Sequence, residues 1–240
     1  MLKLFLSGLT DLIFPRNCIL CHQYDEETNE NPLCRSCQEK IPYNHPPFCV
    51  RCSRHLEAYS PEGLCHDCQK RLPDFDLAWG FTLYKPPMRE LIQSFKFQNK
   101  TCLRKTFTHI AQTFLERYPL SFQEFDAIIP MPLTPTRLRE RGYNQALLLA
   151  EGLSQILRLP CLTDQLERVR HTPRQSDLGE KERWTNILGA FRMKPLSAIA
   201  GKKIILVDDL LTTGSTASQA AQTLMAAGAV KVGIIVLSLA

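Results

Sequence analysis

The sequence predicts an α/β protein, a parallel sheet flanked by helices, with a small N-terminal zinc-binding domain in front of it. Three observations point there. From about residue 74 onward, apolar runs short enough for buried strands alternate with stretches of helical periodicity. Eight of the ten cysteines crowd between Cys18 and Cys68, in four Cys-x-x-Cys pairs. The third is Ile204-Ile205-Leu206-Val207-Asp208-Asp209, an apolar strand ending in two carboxylates, which leads through a hydroxyl-rich loop into an alanine-rich helix.

At the N-terminus, Leu2, Phe5, Leu6, Leu9, Leu12 and Ile13 recur at helical spacing, and Pro15 ends the run. Such an amphipathic helix covers its own domain or lies on a membrane surface. The stretch Met1–Phe14 is too short, and too interrupted by Asp11, for a secretory signal. No other run reaches spanning length. The setting expected is therefore cytoplasmic, with the periphery of the inner membrane as the second option. In a reducing compartment paired cysteines read as metal ligands before disulfides.

The cysteines form a repeat. Cys18, Cys21, Cys34 and Cys37 follow the pattern C-x2-C-x12-C-x2-C, and Cys49, Cys52, Cys65 and Cys68 repeat it 31 residues later. Each Cys-x-x-Cys turn offers two thiolates to one ion, and two turns complete a tetrahedral S4 site, so two structural zinc ions are expected. Consecutive pairs would give two ribbons and alternate pairs a cross-braced fold; the equal gaps favour the former. Disulfides are the rival in an oxidising compartment. Cys18-Ile-Leu-Cys21-His22 also matches a haem attachment pattern, but both cysteines belong to the metal repeat and no export signal precedes them. His66 reads as a surface residue.

The turn-rich Leu72-Pro73-Asp74 separates domain 1–72 from domain 73–240. Asp76–Tyr84 reads as a strand, Pro87–Phe97 and Leu103–Tyr118 as helices, Asp126–Pro130 as a strand and Asn144–Leu157 as a helix. Residues Leu162–Phe191 mix both signals. Lys203–Val207 and Val232–Leu237 are the last strands, with the helix Ser215–Ala227 between them. Composition fits a globular chain, 44% hydrophobic and 22% charged, and excludes a disordered one. The formal charge of +5 suits an anionic ligand and is too mild to argue nucleic-acid binding alone.

Ligands of open α/β sheets bind at the carboxyl ends of strands. A loop opening a helix offers free N–H groups and the positive end of its dipole to an anion. Thr212, Thr213, Ser215 and Thr216 add hydroxyls, and Gly214 permits close approach. Asp208 and Asp209 suit sugar hydroxyls or a hydrated divalent cation. The pattern reads as a site for a ribose 5′-phosphate. A strand and capped helix with solvated acids is the plain alternative, though capping needs fewer such residues. A P-loop would need lysine where Ser215 stands, and no GxGxxG occurs. The segment resembles the signature by which type I phosphoribosyltransferases bind phosphoribosyl pyrophosphate (PRPP). Asp208, Asp209, Leu211, Thr212, Thr213, Gly214, Ser215 and Thr216 are thus candidate PRPP contacts, and the two aspartates the catalytic candidates.

Two basic segments could complete a phosphate site: the loop at Pro130 and Met131 with Arg137, Arg139 and Arg141 behind it, and Arg168–Gln175 with Arg183–Asn186 after it. Arginine donates bidentately to phosphate. The second segment reads equally as a solvated loop, since Glu167, Asp177, Glu180 and Glu182 offset its charge.

Together, the eight-cysteine module, Pro130-Met-Pro132, Arg141-Gly-Tyr-Asn-Gln-Ala146, Arg168–Gln175, Asn186-Ile-Leu-Gly-Ala-Phe191 and the Asp208–Thr216 segment resemble the ComF family of competence-associated proteins. The resemblance spans nearly the whole chain. It implies a double zinc-finger module joined to a type I phosphoribosyltransferase-like domain that takes PRPP with Mg²⁺, pyrophosphate being held by the loop at Pro130 and Met131 and by one or more of Arg141, Arg168 and Arg170. Tyr84 and Lys96-Phe97 match a further family pattern, with Lys96 as a phosphate contact. Candidate partners are PRPP, single-stranded DNA, the competence machinery at the inner membrane face and a second copy of the chain.

Two functions follow. One is a PRPP-binding protein that handles single-stranded DNA during natural transformation. The other is an active Mg²⁺-dependent phosphoribosyltransferase acting on a nucleobase or amine. No Phe, Tyr or Trp occurs after Phe191, so a base platform would come from residues 84–97, from Tyr143 or from a partner chain. Phe48, Arg51, Arg54, His55 and Tyr59 could meet a single strand, or form a solvated face.

Overall fold

The computed structural model describes residues 17–24, 32–120, 122–170, 184–195 and 197–240. The helix expected over Leu2–Ile13 lies outside them, as do residues 171–175 of the basic segment Arg168–Gln175 and Arg183 of the segment after it. In chain order come two short helices, α1 (Arg35–Gln38) and α2 (His66–Lys70), each built on the second cysteine pair of its set. Then follow β1 (Leu77–Leu83), α3 (Met88–Phe97), α4 (Leu103–Arg117), β2 (Ala127–Pro130), α5 (Pro135–Arg141) and α6 (Gln145–Leu157). The last part holds β3 (Leu166–Arg168), β4 (Phe191–Met193), β5 (Lys203–Leu211), α7 (Ser215–Ala226) and β6 (Lys231–Leu239).

Strands β1, β6, β5 and β2 form one sheet in that order, every neighbouring pair parallel. Such strands must be buried on both faces, which explains their near-continuous apolar runs. Ile204 and Leu206 of β5 face one layer, with α7, Phe75 and the second cysteine set. Ile205 and Val207 face the other, with α3, α4, α6 and the first cysteine set. Of the stretch 162–191, the described residues hold β3 and the start of β4, which pair antiparallel.

Two strands run longer than their apolar cores predict. Pairing of β5 with β6 continues through Asp208↔Val236, Leu210↔Ser238 and Leu211↔Leu239. The two carboxylates therefore stand on the strand itself, not beyond it. Leu210-Leu211 and Ser238-Leu239 carry the pairing past the acids, a polar interruption that periodicity alone reads as a strand end.

The link from β2 to α6 is set by local chemistry. Thr134 caps α5 by accepting from the Arg137 N–H at 3.4 Å, with Pro135 at the first helical position. Gly142 ends α5 at φ 80°, a left-handed conformation that favours glycine. Asn144 then caps α6, accepting from the Ala146 N–H at 3.0 Å while donating to the Met131 carbonyl at 3.0 Å. The loop after β2 is thereby tied to the next helix.

At the sheet edge, β1 passes under Leu239 at Gly80. A Cβ there would lie 2.3 Å from Leu239 Cγ, which is itself buried. Gly80→Ala is expected to cost about 1–3 kcal/mol by overpacking. Urea unfolding reads this, and an unchanged midpoint would mean that Leu239 can move aside.

Candidate functional site

The thiols of Cys18, Cys21, Cys34 and Cys37 lie within 4.8 Å of one another, and so do those of Cys49, Cys52, Cys65 and Cys68. Consecutive pairs therefore share each site, as in two ribbons. Sγ separations of 3.7 Å for Cys21–Cys34 and 3.5 Å for Cys52–Cys65 are near the roughly 3.8 Å edge of a tetrahedral zinc–thiolate site. Hydrogen bonds from Cys52 and Cys68 hold Cys49 far below the usual thiol range, while the bond to Cys49 raises Cys52 to about 12. Sulfurs this crowded ionise together only around a cation, and four of them leave no open position. Both sets fit structural zinc and leave no place for a catalytic ion or a haem. His66 is exposed beside Asp67, as expected of a surface residue.

Arg51 and Arg54 of the second ribbon point at the sheet domain rather than at solvent. Arg51 donates to the carbonyls of Asp76 at 2.7 Å and Pro73 at 3.3 Å. Arg54 donates to the carbonyls of Thr212 and Ala240. Phe48 packs against Phe114 and Tyr118, and the His55 ring against His45. Of the five residues considered for a single strand, Tyr59 is the one fully exposed at 92%.

Successive side chains of a strand face opposite sides, which divides the two acids. Asp209 is buried and its carboxylate meets the Lys96 ammonium of α3 at 2.8 Å. Lys96, expected at a phosphate, is thus engaged by the acid pair. Asp208 is half-buried on the other side and accepts the Asp209 N–H at 2.8 Å. Burial, with the neighbouring Asp209 carboxylate, raises Asp208 to about 7, against the opposing pull of Lys96 and Arg168. Arg168, at the end of β3, is buried beside the Phe191 ring. Burial and the nearby Arg137 guanidinium lower it to about 10, while Asp208 pulls it upward.

Past the acids, Thr212 and Thr213 lead to Gly214, which adopts φ 78° immediately before α7. Ser215 N–H donates to Thr213 Oγ1 at 3.4 Å, and the two hydroxyls lie 3.1 Å apart. Thr212, Thr213 and Thr216 are half-buried, Leu211, Gly214 and Ser215 buried. Pro130 pairs with Val207 and Met131 N–H donates to the Val207 carbonyl at 2.8 Å. The loops after β2 and β5 therefore open side by side at the carboxyl edge of the sheet.

The remaining arginines part company. Arg141 donates to Gln145 and lies over the Phe97 ring at 5.5 Å. Arg170 is exposed and donates to the carbonyls of Leu188 and Asn186. Tyr143 is held by its hydroxyl on the Phe95 carbonyl, whereas Phe97 stands 66% exposed next to Lys96. A cleft of about 540 Å³ lies between the second ribbon and the loop, lined by Arg54, Arg71, Phe75, Trp184 and Thr212–Gly214. Arg71 stacks on Trp184 at 3.8 Å. Sequence patterns pointed to neither this cleft nor the Lys96–Asp209 pair, because both join segments far apart in the chain.

Comparison with known proteins agrees with this architecture. Residues 9–69 match the double zinc ribbon domain and residues 144–239 the phosphoribosyl transferase domain. The chain is 33% identical over 218 residues to Competence protein F of Haemophilus influenzae, an alignment covering 90% of this chain and 93% of that protein. It is 35% identical over 146 residues to Competence protein ComFC of Bacillus subtilis, covering 60% and 56%. A third relative is the DNA utilization protein YhgH of Escherichia coli K12, 31% identical over 153 residues, covering 63% and 66%. The chain belongs to the ComF family, a double zinc ribbon carried on a type I phosphoribosyltransferase fold.

Proposed function

We propose that this protein binds PRPP at the carboxyl edge of its sheet and uses that site in handling single-stranded DNA. One observation carries the ligand reading: the acids of β5 run directly into a hydroxyl-rich loop whose Gly214 opens the helix α7. In the proposed complex the loop Thr212–Thr216 holds the 5′-phosphate through N–H and hydroxyl donors. Asp208 accepts from a ribose hydroxyl, Asp209 is held by Lys96, and Arg168 faces the pyrophosphate with the loop at Pro130 and Met131. The oxygen chemistry of the acid pair fits Mg²⁺, which when bound neutralises charge on the pyrophosphate.

Ionised Asp208 is the better acceptor, so the ligand binds best above the carboxyl's raised value of about 7. PRPP affinity is expected to rise about tenfold between about pH 6 and about pH 8. Asp208→Asn should weaken binding and remove that part of the pH dependence which the ligand's own phosphates do not supply. In the absence of ligand the sign reverses. Between the ordinary carboxylate range and about 7 the folded chain keeps a proton the unfolded chain has lost, so this group's stabilisation fades as pH rises. Calorimetric titration in Mg²⁺ checks the affinity, and no heat from zinc-replete, folded protein would refute the ligand.

The DNA part rests on the relatives named for competence and DNA utilization. Binding of a single-stranded oligonucleotide is expected to weaken steadily with salt, as counterion release requires. Binding that is absent or indifferent to salt removes this part and leaves the ligand reading standing.

Phe97 favours a second reading, the active transferase, because it is an open aromatic surface next to the residue that holds Asp209. PRPP should then release pyrophosphate with one of a panel of nucleobases and amines, and Phe97→Ala should raise the acceptor KM. Silence across the panel decides for binding without transfer.

A further inference from the structure

We infer that Arg54 is a positioning residue for the phosphate loop, through which zinc at the second ribbon and an anion at residues 212–216 strengthen each other's binding. The inference rests on reading that loop as the phosphate site. Arg54 stands two residues beyond the ligand Cys52. One guanidinium nitrogen is 3.9 Å from Cys52 Sγ and 3.7 Å from the Asp67 carboxylate. The other donates to the Thr212 carbonyl and, at 3.1 Å, to that of Ala240. A trans peptide is planar, so its C=O and the following N–H point to opposite sides. Holding the Thr212 carbonyl toward the ribbon turns the Thr213 N–H away from it, into the loop. The same contact brings a permanent cation to the backbone that would cradle a phosphate.

A second strut leaves the same turn. Arg51, between Cys49 and Cys52, braces the carbonyls of Pro73 and Asp76. Between them, Asp74 N–H donates to Ser218 Oγ at 2.8 Å, and Ser218 N–H donates to the Gly214 carbonyl at 2.8 Å. Phe75 fills the space beside Gly214, its ring 3.7 Å from where a Cβ would sit. The Cys49–Cys52 turn therefore touches the loop directly through Arg54 and reaches it from behind through Arg51. The thiolates that bind the ion fix the shape of this turn, and both arginines depend on it. Coupling of this kind is reciprocal by thermodynamic necessity.

The test uses the full chain with Arg54→Gln and Arg54→Lys, zinc content being measured for each. In Arg54→Gln, the amides of residues 212–216 should exchange hydrogen faster with no ligand present, and PRPP with Mg²⁺ should bind about tenfold more weakly. PRPP should also slow chelator-driven zinc loss from the second site of the wild type but not of the variant. Arg54→Lys keeps the charge without the fork that spans two carbonyls, and is read the same way if Arg54→Gln does not fold. Unchanged exchange at 212–216 with both zinc ions retained overturns the inference. Faster exchange in a variant of a wild type that ignores PRPP would uphold the clamp and defeat the ligand reading instead.

Discussion

The alternation of side chains along β5 is the constraint on which the site depends. The strand is locked in register between β6 and β2, with Ile204 and Leu206 committed to one layer and Ile205 and Val207 to the other. A slip of one residue would turn every one of these around. Because they are fixed, the next two positions are fixed as well. Asp209 is delivered to Lys96 on the helical side and Asp208 to Arg168 on the side of the small β3–β4 sheet. Two neighbouring acids thereby acquire different electrostatics from one backbone rule.

The zinc ribbons are part of the two layers rather than appendages to them. Cys18, Cys34 and Cys37 belong to the apolar cluster under α3, α4 and α6, whereas Cys49, Cys52 and Cys68 belong to the one beneath α7. Asn44 adds a buried anchor, donating to the carbonyls of Ser53 at 2.7 Å and Gly80 at 3.1 Å. A sheet whose edge strand β1 follows directly after the ribbons needs such cover, since parallel sheets tolerate little exposure of their faces.

Much of this was legible in the chain. The cysteine spacing contained the two ribbons, and equal gaps already favoured consecutive pairing. Apolar runs located β2, β5 and β6 because burial on both faces leaves few alternatives to Val, Ile and Leu. Strand ends were less legible: Asp208 and Asp209 interrupt the apolar run without interrupting the hydrogen-bond ladder. Basic residues were the least legible. Arg51, Arg54, Arg141 and Arg170 look alike in sequence, yet here each is spent on a carbonyl or amide oxygen. Only tertiary placement separates them from Arg168, which is buried toward Asp208. The Lys96–Asp209 pair joins α3 to β5, and no local pattern announces it.

The embrace between ribbon and sheet also sets an order of assembly. Arg54 and Thr212 are 158 residues apart in sequence, and within the four-stranded sheet β1 pairs with β6, the last strand of the chain. A ribbon gains its folding energy from its metal and can close as soon as its own four cysteines are available. The surface it docks on is complete only after β6 has reached β1, a pairing of Leu77 with Gly233 that is long in range and intrinsically slow. Until the last strands arrive, Phe75, Ala78 and Phe81, and the ribbon cysteines that share their layers, lack the neighbours that bury them. Zinc, by closing each ribbon from its own four cysteines, shapes the side of the contact that comes first in the chain.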